Sequence, residues 1–104
     1  MKLQNKITVT VTTANKEIIT FILRRPTNQE INEFQAKRFD IKKEDIKGRL
    51  ELLEDYFDSL LMSVENLEDE TGIVTVDRKD AIPANWKQDI SAKLELDAQI
   101  DIKN

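Results

Sequence analysis

Carboxylates are the residues of this chain best equipped for chemistry. Eight of them (Glu51, Glu54, Asp55, Asp58, Glu65, Glu68, Asp69 and Glu70) fall between Glu51 and Glu70, with no Lys or Arg among them. Paired acids can serve as general acid and base, and clustered acids can hold a hard cation, but both uses need groups that converge in a pocket. Here the spacing spreads the acids along the outer side of what the sequence predicts to be a helix. The chain has no His and no Cys. That removes the usual general base, the Ser–His and Cys–His nucleophile pairs, the commonest zinc ligand and every disulfide. Ser59, Ser63 and Ser91 are left without an activating partner. The acids before Gly72 invite comparison with a calcium loop. Placing Gly72 at that loop's glycine puts Leu67 at the first ligand position and Arg78 at the bidentate glutamate, so the match fails at both. The expectation is a protein with no catalytic residues, no cofactor and no metal.

The element that would carry most of these acids runs from Glu44 to Leu67. Ile46, Leu50, Leu53, Phe57, Leu60, Val64 and Leu67 follow at alternating steps of four and three, one stripe of a helix. Leu52, Tyr56, Leu61 and Met62 widen the stripe. A continuous helix over that span would be a rod of about 36 Å. The broad stripe favours a core element of a globular protein over a coiled-coil seam. Its basic start (Lys42, Lys43, Lys47, Arg49) and acidic finish oppose the helix dipole. Two readings of the acidic face stand side by side: a solvated surface, or a dock for a basic partner segment. On the second reading Glu51, Glu54, Asp55 and Asp58, with the marginal apolar residues Leu52, Tyr56 and Met62, are the candidate partner-binding residues.

The other elements must hold that helix in place. Ile7, Val9 and Val11 alternate with Thr8, Thr10 and Thr12, the period of a half-buried strand. A turn at Ala14-Asn15-Lys16, with Asn15 the residue tolerant of a left-handed backbone, leads to a second strand over Glu17 to Arg24. That strand is apolar on both faces, which predicts a cover on each. Thr27 and Glu30 form a capping box, starting a short helix that ends near Phe39 or Asp40 with Ile31, Phe34 and Arg38 on one face, joined by Phe39. Arg24 and Arg25 are solvated strand-end residues or a grip for an anion. Gly48 would let the start of the long helix kink or fray, and Gly72 would cap its far end. Ile73 to Asp77 can extend, with Val74 and Val76 on one side. Pro83 opens a further helix with Trp86, Ile90 and Leu94 on one face and Trp86 as its anchor. At the end, Leu94, Leu96, Ala98, Ile100 and Ile102 alternate, so a strand competes with a helix; the favoured reading is helix to about Leu96 and a loose tail over 97–104. The fold class is α+β: an N-terminal β-hairpin packed on about three helices in a single domain of 104 residues.

Composition narrows the partners. A net charge of −4 disfavours nucleic acid, whose phosphates demand a basic surface. No apolar run approaches the length needed to span a bilayer, and Met1 to Lys6 lacks the apolar segment of a secretory signal. With no Cys, a cytoplasmic location is expected.

The order of these signals resembles the small tail assembly chaperones of long-tailed bacteriophages. The likeness rests on Leu23-Arg24-Arg25-Pro26-Thr27-x-x-Glu30, the acidic segment Asp55 to Leu61, and Ile82-Pro83-x-x-Trp86-Lys87, and covers roughly Ile18 to Ile90. None of the motifs is specific alone. The resemblance implies a non-enzymatic protein of the host cytoplasm that binds the tape-measure protein, keeps its helices soluble and recruits tail-tube subunits. It brings no catalytic residues. A structural tail or connector subunit, and a small cytoplasmic adaptor for a basic or helical peptide, are the competing classes; homo-oligomerisation fits any of them.

Overall fold

Two strands, β1 (Lys6–Thr12) and β2 (Ile18–Arg24), form the expected antiparallel hairpin with Val9 opposite Phe21. The computed structural model describes residues 5–100, with side chains described through Leu94. The turn is closed by Lys16 N–H donating to Thr13 C=O and Thr13 N–H donating to Glu17 C=O. Lys16, at φ 64°, holds the left-handed position, not Asn15. That is the geometry of a three-residue loop whose last residue turns left-handed so that the strands keep their twist. Helix α1 (Asn28–Asp40) follows, and Thr27 and Glu30 make the reciprocal capping box that their spacing predicts.

The expected rod over Glu44–Leu67 is not formed. Helix α2 covers Ile46–Leu60, about 22 Å, and the chain passes without a loop into strand β3 (Leu61–Glu65), which pairs antiparallel with the other edge of β2. The sheet order is β1-β2-β3. A period of three to four should not fit a strand, and a bulge explains how it does. Thr20, Phe21 and Ile22 oppose Glu65, Val64 and Ser63, but Leu23 opposes Leu61, so Met62 is the extra residue. Skipping Met62 lets Leu61 and Val64, three apart, both face the core. Leu67 lies beyond the strand, packed on the core's margin.

The acidic finish is therefore not on the helix. Glu68–Asp69 and Gly72–Ile73 form a two-residue ribbon (β4 and β5), in which Gly72 (φ 130°) serves the hairpin and caps no helix. Asp69 accepts hydrogen bonds from Thr71 N–H and Oγ and pairs with Arg78. The extended segment expected over Ile73–Asp77 is shorter, giving way to a 3-10 turn at Val76–Ala81. Helix α3 (Ala84–Ile100) starts after Pro83 as expected and runs past Leu96, so helix replaces the alternative of a strand as far as Ile100; residues 101–104 lie outside the described residues.

The core fills one side of the sheet. Ile19, Phe21 and Leu23 meet Phe57 and Leu60 of α2, Val74, Ile82, and Ile90 of α3. Phe21 takes Phe57 and Trp86 edge-on, with ring centroids 5.7 and 6.2 Å away. The opposite face of the sheet has no cover among the described residues: Thr8, Thr10 and Thr12 are exposed and Ile18 is 54% exposed. The cover expected on both faces of β2 is thus present on one only.

Gly48 does not kink α2. Asp45 caps the helix by accepting from Gly48 N–H at 2.9 Å, and a Cβ on Gly48 would stand 2.3 Å from the Asp45 carboxylate. At the other end, the last carbonyls of α2 are met by cations from elsewhere in the chain. Lys79 Nζ donates to Asp58 C=O at 2.5 Å, and Arg24 donates to Ser59 C=O at 3.2 Å. The charge order that opposes the dipole in sequence is thereby offset in space.

Two substitutions check this packing. Leu60 is fully buried, so Leu60→Asp should lower stability by about 4 kcal/mol or more in denaturant unfolding. Lys16→Gly should raise it by roughly 0.5–1 kcal/mol, since glycine carries no penalty at positive φ.

Candidate functional site

The seven candidate partner-binding residues do not share one surface. Three of them converge. Leu52, Asp55 and Tyr56 of α2 line a groove against α1, whose Glu30, Glu33, Phe34 and Lys37 form the other wall, with Ser59 at one end. Helical spacing produces this: 52, 55, 56 and 59 are one to two turns apart on one side of α2, as are 30, 33, 34 and 37 on α1. The aromatic floor is the stack of Phe34 on Tyr56, centroids 4.2 Å apart and rings inclined at 27°. Burial raises the Tyr56 phenol above its ordinary value of 10.0, so it stays a neutral donor at physiological pH.

The groove's base is fixed by Arg24. Its guanidinium donates to both oxygens of Glu30 at 2.7 Å, a bidentate clamp, while Glu30 also accepts from Thr27 N–H at 2.8 Å. Arg24 thus grips a carboxylate of its own chain while its side chain stays 39% exposed, and Arg25 is exposed. Those bonds hold the Glu30 carboxyl at about 2, well below its ordinary 4.5, with the Arg24 bond the larger cause.

The remaining acids are placed elsewhere. Glu54 accepts from Gln88 Nε2 at 3.2 Å, on the α3 side of α2. Asp58 lies 2.8 Å from Nζ of Lys87, whose residue is only 5% exposed. No hydrogen-bond donor is aligned on that Asp58 oxygen among the described residues, so the contact is an ion pair held by proximity. Glu51 is exposed, 3.9 Å from Lys47 one turn away. Met62 is the bulged residue of β3, 44% exposed and far along the chain from the α1 wall. Glu54 and Asp58 therefore fasten α2 to α3, which the helical pattern alone did not separate from a docking face. Sequence reasoning missed Glu33 and Lys37; their spacing of three and seven from Glu30 was the available signal.

The groove encloses about 190 Å³. Pockets for drug-sized ligands run to roughly 300–1,000 Å³, so this one suits a single side chain, not a metabolite. Its walls carry Glu33 and Asp55, both exposed, against one Lys37, and its floor is aromatic. The groove thus has a net acidic rim over a floor whose Phe34 ring is buried against Tyr56. A second apolar feature lies on the same helix pair: Phe39 at the end of α1 is 87% exposed, and Ile46 and Leu50 at the start of α2 are exposed as well. The face expected of α1 is thus divided, with Phe34 buried and Ile31 and Phe39 left to solvent. Among the described residues no helix is long and apolar enough to cross a membrane. No family model, no curated protein and no solved structure matches the chain.

The clamp predicts an acid dependence. Because folding lowers the Glu30 value, its contribution is complete above 4.5 and lost as pH falls from 4.5 towards about 2. The pair is partly exposed, so the contribution is about 1 kcal/mol or less. Glu30→Gln should flatten, without abolishing, the decline of unfolding free energy across that interval, as Asp69 titrates over a similar range.

Proposed function

We propose that this chain is a non-enzymatic protein-binding module, an assembly chaperone of phage tails that holds the tape-measure protein and engages tail-tube subunits. The observation that carries the reading is the α1–α2 groove, acid-walled and aromatic-floored, sized for one basic side chain of a client and flanked by exposed Phe39, Ile46 and Leu50. A holdase must attract a helix, cover its apolar stripe and release it. Charge on the groove walls supplies encounter and register, and the exposed apolar residues supply contact area.

The motifs behind the resemblance bear on this reading in a particular way. Arg24, Thr27 and Glu30 build the clamp and cap that set α1. Trp86 and Lys87 tie α3 to Phe21 and Asp58. Arg24, Thr27, Trp86 and Lys87 do not line the groove, whereas Glu30 and, from the acidic segment, Asp55, Tyr56 and Ser59 do, beside Glu33 and Lys37.

Co-expression with the tape-measure and tail-tube proteins tests the proposal. The expected result is a soluble complex that co-purifies with this chain, together with loss of the chain from finished particles. Persistence in purified particles would identify a structural subunit instead. Glu33→Lys with Asp55→Lys should retain the fold and weaken client binding about tenfold at low salt. Unchanged affinity would remove the groove from the binding surface. Asp58→Lys is a poor probe of docking, because it sets a second cation against buried Lys87.

A further inference from the structure

The two edges of the sheet are finished differently. Strand β3 is short, carries the Met62 bulge and ends in the charged Glu65. Those are the devices that keep a sheet edge from recruiting another strand. Strand β1 has none of them in its middle: seven residues, no Pro, no Gly, no bulge, and a single charge at its first residue, Lys6. Nothing among the described residues pairs with its outer side.

Which backbone groups face outward follows from the ladder. Arg25 N–H donates to Asn5 C=O and Thr13 N–H to Glu17 C=O, so the odd-numbered residues of β1 exchange bonds with β2. The even-numbered residues Lys6, Thr8, Thr10 and Thr12 therefore direct their N–H and C=O groups away from the sheet. The apolar row Ile7, Val9 and Val11 is only half-buried, so the core side also lacks a neighbour at this edge.

From these observations we infer that two copies of this chain pair through β1, antiparallel, about a two-fold axis at Val9. In that register Thr8 opposes Thr10 of the second copy and Lys6 opposes Thr12, with Val9 against Val9 and Ile7 against Val11. Every outward N–H and C=O of the strand meets a partner, no like charges stand opposite, and threonine pairs lie on the open face. The half-buried row becomes continuous across the junction. A second copy suits the edge better than an unrelated strand because the strand is its own complement under the two-fold axis. It also closes: β3 is blunted, so each copy offers one edge and assembly stops at a six-stranded dimer. This inference goes beyond the groove, none of whose lining residues lies on β1.

Light scattering on the full chain over a range of concentrations is the first test. The expected mass is twice 12.1 kDa at high concentration, falling to the single-chain value on dilution. Hydrogen exchange should show the amides of Thr8, Thr10 and Thr12 slowing at least tenfold as the dimer forms, while those of Val9 and Val11 are slow throughout. Thr10→Pro removes an outward N–H without breaking a bond to β2, and Thr8→Lys with Thr10→Lys sets like charges across the junction. Each variant should stay a monomer with the circular dichroism of the parent; if the proline variant fails to fold, the lysine pair decides. A chain that remains monomeric at every concentration would overturn the inference. So would a dimer that survives the lysine pair, or one in which the even-numbered β1 amides still exchange freely.

Discussion

The ring of Phe21 is the point on which the structure depends. It sits at the middle of the central strand, fully buried, with Val9 and Val64 opposite it on either side and Phe57 and Trp86 edge-on above it. The hairpin, β3, α2 and α3 thus all meet one side chain. Each edge-on aromatic contact adds about 0.5–1.5 kcal/mol beyond area burial. Two strands are marginal alone, so the hairpin exists because this residue and its neighbours Ile19 and Leu23 find a helical cover.

Around that centre, electrostatics fasten the helices end to end. The last turn of α2 carries no basic residue, yet its carbonyls receive Lys79 and Arg24, and its Asp58 receives Lys87. Ser91, fully buried on α3, donates to Leu53 C=O at 2.8 Å. An apparently misplaced acidic helix end is thereby enclosed by cations from the sheet, the 3-10 turn and α3. Arg24 contributes twice, since the same guanidinium clamps Glu30 at the start of α1.

Helix α1 stands apart from this arrangement. Its one buried residue is Phe34, and it leans on α2 through the stack with Tyr56. An element with so little buried surface opens at lower free-energy cost than the core does. The groove is therefore built between α2, which buries Phe57 and Leu60, and the less buried α1. That contrast suits the proposed holding role, in which a client helix is accepted and released.

Local signals in the sequence were sufficient for the hairpin, the Thr27–Glu30 cap, the Pro83 helix start and the α+β class, because each rests on neighbours within a few residues. The span 44–67 was not settled that way. Its steps of four and three satisfy a helix throughout, and only the open edge of β2 turned Leu61–Glu65 into a strand, with Met62 looped out so that the same apolar residues still reach the core. Partition of the acids was likewise tertiary: Asp55 faces α1, while Glu54 and Asp58 face Gln88 and Lys87, residues some thirty positions away in the chain. Periodicity reports which residues want to be buried; which partner buries them, and which charges remain for a client, is decided only when distant segments meet.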